Sequence, residues 1–315
     1  MRPCRVIFSV AVASVLVGFG SMWSDAHAQA WVGDTGGLDL SLDYNLGISD
    51  SVIQDKGADI TNAGTTAHQF TLGAEYVPVN HLAVNVALPF ELLKYTGPPG
   101  SNPHPGGGKY DDGSTHATLT DLRIGARYQV LEEPFALTPQ LAVSIPVADY
   151  ETVGNTVAGR HLKALHLGVG IGRVFGEDEA TYVHLLYEFS VVEKYDRTAV
   201  TAKYGQDRSD FAATIGHKLL DQRLDIHIDA NGRITHGGVN FSEINFQAPA
   251  SDPAAFDVAQ YHDAILAESI YLVGGGVGYQ LTHDLGVSVS ARLFVAGANT
   301  QNASVFALGL TWSAL

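Results

Sequence analysis

The 315-residue chain holds a single cysteine, Cys4. It precedes the apolar run 6–19, too early for a lipid-attachment cysteine. Residues 1–28 read as a cleavable secretory signal, with Arg2 and Arg5 at its start and a small-x-small site at Ala26-His27-Ala28. Its apolar middle is short for a retained span, which needs about 20 residues. Cys4 leaves with that leader. From about Gln29 onward the sequence excludes disulfides, thiolate chemistry and Cys-ligated zinc. Basic residues are also scarce: 18 Lys and Arg stand against 33 Asp and Glu, for a net charge of −15. Loss of Arg2, Arg5 and Asp25 makes the balance one unit more negative. So acidic a chain is not predicted to bind nucleic acid or to carry a polybasic membrane footprint. Charged residues make up only 16% of the chain, against about 25% in soluble domains. No stretch beyond the leader is apolar for 18 residues, so helical membrane spans are not expected.

What is present is period-two alternation. In 37–50, Leu38, Leu40, Leu42, Tyr44, Leu46 and Ile48 fall on one face, and Asp39, Ser41, Asp43 and Asn45 on the other. Successive side chains of a strand point to opposite faces. Repetition of this pattern in an exported chain predicts an all-β fold, an antiparallel up-and-down barrel in lipid, apolar outside and polar within. Twelve strands are expected, among them 70–76, 82–90, 122–130, 141–147, 165–171, 183–189, 211–219, 224–228, 271–279, 285–295 and 306–312. Residues 29–315 then form one barrel domain. The Gly274-Gly275-Gly276 run blurs the phase of the tenth strand and suggests a bulge or a kink. Arg173 falls in the outward phase, where it snorkels unless a bulge turns it inward.

Connections alternate in length. Short ones lie at 78–81, 131–134, 176–179, 221–223 and 282–284. Long ones lie near 49–65, 94–117, 149–160, 193–208 and 237–263, with a shorter one near 298–303. Outer-membrane barrels turn briefly in the periplasm and loop outside, so both termini are expected on the periplasmic side. The aromatics form two outward belts on the same assignment. Tyr76, Tyr128, Tyr279 and Trp312 mark one rim, and Tyr44, Phe90, Phe189, Phe211 and Phe306 the other. A soluble sandwich would bury these rings in a core.

The inward phase carries Asp39, Asp43, Glu75, Asp121, Glu188, Asp210, Asp225, Asp229 and Glu268, with Arg123, Arg127, Lys163, Lys218, Arg233 and Arg292, and with His166, His184, His227 and Tyr182. In a twelve-stranded lumen, only slightly wider than one that side chains fill, such groups either line water or pair with one another. Candidates for the lumen wall or a constriction are Glu75, Asp121, Arg123, Arg127, Glu188, Asp225, His227, Asp229, Arg233 and Arg292. Asp225, His227, Asp229, Asn231 and Arg233 form a dense ladder. Alternate residues lie about 7 Å apart along a strand, so their partners are expected from neighbouring strands, and a charge ladder is favoured over a metal or catalytic site. His104, Asp111, Asp112 and His116 match no standard metal spacing and read as a surface loop.

Neither a nucleophile elbow nor a dinucleotide fingerprint occurs. Gly168, Gly170 and Gly172, like Gly274–Gly278, open no helix and read as tight wall packing. No catalytic residue, cofactor or metal is assigned.

The apolar–Pro steps Leu88-Pro89-Phe90 and Ile145-Pro146-Val147 flank the stretch Leu119-Thr-Asp121-Leu-Arg123-Ile-Gly125-Ala-Arg127-Tyr128, and Leu72-Gly-Ala-Glu-Tyr76-Val77-Pro78 precedes them. Over about 66–150 this resembles the outer-membrane family labelled "MetA-pathway of phenol degradation". The resemblance implies a monomeric barrel in outer-membrane lipid, linked to uptake of small aromatic or other hydrophobic compounds. The expected function is passive passage of a small solute. Two alternatives stand beside it. One is a closed structural or adhesive barrel whose loops bind a partner. The other is a phospholipase-like barrel, which needs an outward Ser–His pair; His217 is outward, but no serine partner is evident.

Overall fold

In lipid every backbone N–H and C=O needs a partner within the protein, which leaves β-strands only a closed ring. The computed structural model describes residues 30–56, 59–97, 110–176, 178–196 and 203–314; the leader and the loop residue His104 lie outside the described residues. Its strands are β1 (Leu38–Ile53), β2 (Ile60–Val79), β3 (Leu82–Tyr95), β4 (Thr115–Leu119), β5 (Asp121–Tyr128), β6 (Ala136–Pro146) and β7 (Ala164–Phe175). They continue with β8 (Thr181–Val192), β9 (Asp207–Leu219), β10 (Leu224–His236), β11 (Ser269–Gln280), β12 (Leu285–Ala298), β13 (Thr300–Gln301) and β14 (Ser304–Ala314). Each pairs antiparallel with its neighbours, and β1 pairs with both β2 and β14. β4 and β5 are two parts of one wall strand, and β13 extends the strand of β14 along β1, so the wall is the expected twelve-stranded barrel.

The break at Thr120 has a local cause. Asp121 faces Pro146 of β6, and the Thr120 N–H reaches the carbonyl of Pro89 in β3 at 3.2 Å. Proline has no N–H to give a ladder. Pro89 therefore returns no N–H to Thr120, and the ladder between β3 and this wall strand is interrupted there.

The outer face carries Leu72, Leu141, Ile215, Ile228, Val289 and Leu308 among many exposed apolar side chains. A water-soluble protein rarely exposes a patch larger than a few hundred Å². Here the apolar band runs round the barrel. Tyr76, Tyr128 and Trp312 are exposed at the short-turn end, and Phe90, Phe211 and Phe306 toward the long-loop end. Arg173 is outward, its guanidinium 5.2 Å from the Phe175 ring centre.

Some expectations are corrected. The connection expected at 49–65 is mostly strand, because β1 and β2 continue as a hairpin to Ile53 and Ile60. Lys163 is exposed in the loop before β7 and does not face the lumen. The triple glycine contains no bulge: β10 and β11 stay in register throughout, and the irregularity against β12 falls between Tyr271 and Leu272.

The glycines serve the lumen. Gly274, Gly276 and Gly278 stand opposite Asp229, His227 and Asp225 of β10 and opposite Arg292, Ser290 and Ser288 of β12. They leave β11 as a bare floor over which side chains from both sides lie. A Cβ at Gly276 would sit 2.8 Å from Ser290 Cβ and from the Val289 carbonyl, and 2.9 Å from the His227 ring. Gly276→Val should therefore destabilise the barrel by about 1–3 kcal/mol through overpacking, read as an earlier loss of the compact band in urea before unheated electrophoresis. Val277→Leu, on the lipid face one residue away, should leave that midpoint nearly unchanged.

Candidate functional site: a lumen of paired charges

The ten lumen candidates all lie on inward positions, and most are paired. Arg127 of β5 reaches across β3 to Glu75 of β2 with both arms of its fork, Nε to Oε2 at 3.0 Å. Arg123 grips Glu188 of β8 in the same two-pronged way, at 2.6 and 3.2 Å. Such forks match carboxylate geometry and are stronger than single hydrogen bonds. Arg233 donates to its register partner Asp210 at 2.6 Å. Arg292 crosses the glycine floor of β11 to Asp229 at 2.5 Å. Asp121 accepts the Tyr150 hydroxyl.

The β10 ladder differs from expectation. His227 Nδ1 lies 3.0 Å from Asp225 Oδ1, and Asn231 donates to Asp229 at 2.6 Å, both within the one strand. The side chains lean along the strand over the glycine floor and close a gap that backbone spacing alone would leave open. Tyr182 of β8 reaches across β9, over Gly216, and donates to Asp225 at 3.1 Å.

The short-turn end is entered by residues 30–32. Arg127 donates to the Trp31 carbonyl at 3.0 Å, Gln129 accepts the Val32 N–H at 2.8 Å, and Thr138 donates to the Ala30 carbonyl. Room for this segment comes from β7. A Cβ at Gly172 would meet the Trp31 ring and Ala30 Cβ within 2.7 Å. The alternating glycines read as wall packing thus also seat a lumen segment.

Loops pack over the other end. Tyr150 and Ala158 pack with Tyr110 and with Ala67 and Leu93 of the wall. Helices α1 (Pro253–Gln260) and α2 (His262–Ile265) sit in the connection after β10. Ile265 and Ala264 join Leu162, Val192 and Tyr195 in a second buried group. The 149–160 loop and the last long loop meet where the Gly154 N–H donates to the Gln260 carbonyl at 3.0 Å. Asp111 holds Asn155 through two bonds of 2.8 and 3.1 Å, and Asp112 pairs with His116 at 2.8 Å. Burial pushes the Asp263 carboxyl up, reinforced by Asp111 and Glu268 nearby. Burial likewise pulls the Arg160 guanidinium down to about 9, against the pull of Glu268.

Several inward groups escaped the sequence reading. Glu91, bonded by Gln69 at 2.8 Å, lies just past Phe90, the last residue of the apolar alternation in this strand, although β3 runs on to Tyr95. Arg160 lies in a loop without periodicity. Arg208 lies at the boundary of a segment read as loop, although β9 already includes it. Ile270, Leu272, Ala303 and Val305 form an inward apolar cluster with Phe294 packed against it.

On the lipid face, histidines bond to hydroxyls of adjacent strands. His68 meets Tyr44, His217 meets Thr181, and His236 Nε2 meets Ser209 Oγ, each at 2.8 Å. The Ser209–His236 pair is the outward Ser–His contact a lipid-active barrel would need. Among the described residues no carboxylate lies within ion-pair distance of His236. The three pairs share one reason, since a polar group facing lipid needs a partner within the protein.

No family profile and no curated protein matches the chain. Solved structures do match in fold. An outer membrane channel named COG4313, from Pseudomonas putida F1, aligns over 90% of this chain and 97% of its own at a TM-score of 0.68 and 13% identity. The β domain of the Bordetella autotransporter BrkA covers 89% of this chain and 100% of its own at a TM-score of 0.50 and 12% identity. The fold is that of an outer-membrane β-barrel.

Arg233 and Asp210 are each only 3% exposed. Removing one partner strands a buried charge, so Arg233→Ala should cost about 3–5 kcal/mol. The double change Arg233→Leu with Asp210→Leu should recover most of that loss in the same urea titration. A double variant as unstable as the single would refute the pairing account.

Proposed function

We propose that this protein is an outer-membrane channel for passive uptake of a small solute, an aromatic or otherwise hydrophobic compound, and that it performs no covalent chemistry. The observation that carries the reading is a closed barrel with an apolar, belted exterior and a polar lumen running between its ends. In this reading the short turns and both termini face the periplasm, the long loops face outward, residues 1–28 are removed on export, and the barrel acts as a monomer. The fold shared with a protein named as an outer membrane channel supports it, as does the resemblance over 66–150. The lumen chemistry suits a solute with an apolar body. Its Arg–carboxylate pairs satisfy one another, and Ile270, Leu272, Val305 and Phe294 offer apolar contact inside.

A second reading has a specific observation behind it. Segment 30–32 enters one end of the lumen and loops pack over the other, an arrangement that a structural or adhesive barrel would also show. The two separate in a planar bilayer. A channel should show discrete current steps from the refolded mature protein. Trp31→Ala should raise their size by at least half, because that ring lies in the short-turn end. Neutralising Glu75, Asp121, Arg123, Arg127 and Asp229 together should alter ion preference. A folded protein that stays silent, with and without Trp31, would favour the closed barrel.

A further inference from the structure

Beneath the loop cap, several buried donors share one neighbourhood and lack acceptors. Arg208, at the start of β9, is 9% exposed, and its Nε has no hydrogen-bond partner among the described residues. Directly opposite it on β10 stands Thr235, 6% exposed, whose hydroxyl also has no partner among the described residues. The Thr235 N–H donates to the carbonyl of Glu268 at 2.8 Å, and the Glu268 carboxylate takes Arg160 Nη2 at 3.2 Å. Arg160 Nη1 donates to the Gln206 side-chain oxygen. That leaves Gln206 Nε2 and Arg160 Nε as further buried N–H groups with no acceptor among the described residues. Arg160 and Gln206 are 3% and 0% exposed. These contacts join Arg160, Gln206, Glu268 and Thr235, and Arg208 stands opposite Thr235 in the ladder.

Buried donors without acceptors are rare, because losing water without gaining a partner is costly. The nearby carboxylates are engaged elsewhere. Glu268 is bonded by Arg160 and Thr300, Asp210 by Arg233, Asp121 by Tyr150, and Glu188 by Arg123. Arg208 remains a cation with no ion pair among the described residues.

We infer that this group is a carboxylate-binding point on the solute path, with the Arg208 fork taking both oxygens and Arg160 Nε, Gln206 Nε2 and Thr235 Oγ1 completing the shell. A planar two-oxygen anion suits a guanidinium fork. The local chemistry thus selects an anionic head although the chain as a whole is acidic. The inference rests on the channel reading only in placing the site on a solute's path; binding itself does not require conduction.

The test is isothermal titration of the refolded mature barrel with benzoate, and with benzamide as its uncharged match. Benzoate should bind at least tenfold more tightly than benzamide. Arg208→Gln should remove that preference, and Arg208→Lys should retain part of it. The compact band in unheated electrophoresis checks that each variant is folded. Benzoate bound equally by wild type and Arg208→Gln, or not at all by the folded wild type, would overturn the assignment. Current steps without benzoate binding would reject the site while leaving the channel reading intact. Binding lost in Arg208→Gln from a barrel that carries no current would support the site and reject the channel.

Discussion

Closure of the hydrogen-bond ring between β1 and β14 is the constraint on which everything else depends. Eleven consecutive register pairs, from Leu38 with Ala314 to Ile48 with Ser304, join the first strand to the last. Without them two strand edges would meet lipid, where unpaired backbone groups cost several kcal/mol each. With them the sheet has one face toward lipid and one toward an enclosed space. The alternating side chains must then divide between two solvents, which is why acids and arginines crowd inward.

Crowding charge into a narrow space raises a second problem. Desolvation of an ion is expensive, and Coulomb attraction offsets it only when geometry is good. The barrel meets this with forks and with missing side chains. Arg127 and Arg123 use two-pronged bonds, while the glycines of β11 let Arg292 and His227 lie flat and find Asp229 and Asp225. On β7, glycines instead make room for Trp31. One residue type thus serves charge pairing on one wall and segment docking on another.

Much of this was legible from the residues. The alternation in 37–50 marks β1, the strand count follows from its repetition, and the belts follow from where aromatics fall. The lumen candidates were found by phase alone. Phase says which face a residue takes but nothing about how far its side chain leans. The Asp225–His227 bond was therefore missed, since it depends on the glycine floor beside it. Arg160 was missed because its loop carries no period, and only the fold of the cap brings it against Gln206 and Glu268; Arg208 was missed because it is the second residue of β9, where the alternation has barely begun.

The sequence by itself determined the strands, their inward and outward faces, and the belts, because these follow from a local two-residue period set against lipid on one side. The tertiary structure alone decided which charges pair, which donors remain without acceptors among the described residues, and what packs at the ends. Those outcomes join residues far apart in the chain, as with Arg127 and Trp31 or Arg160 and Glu268. Such contacts exist only once the ring has closed and the loops have folded into it.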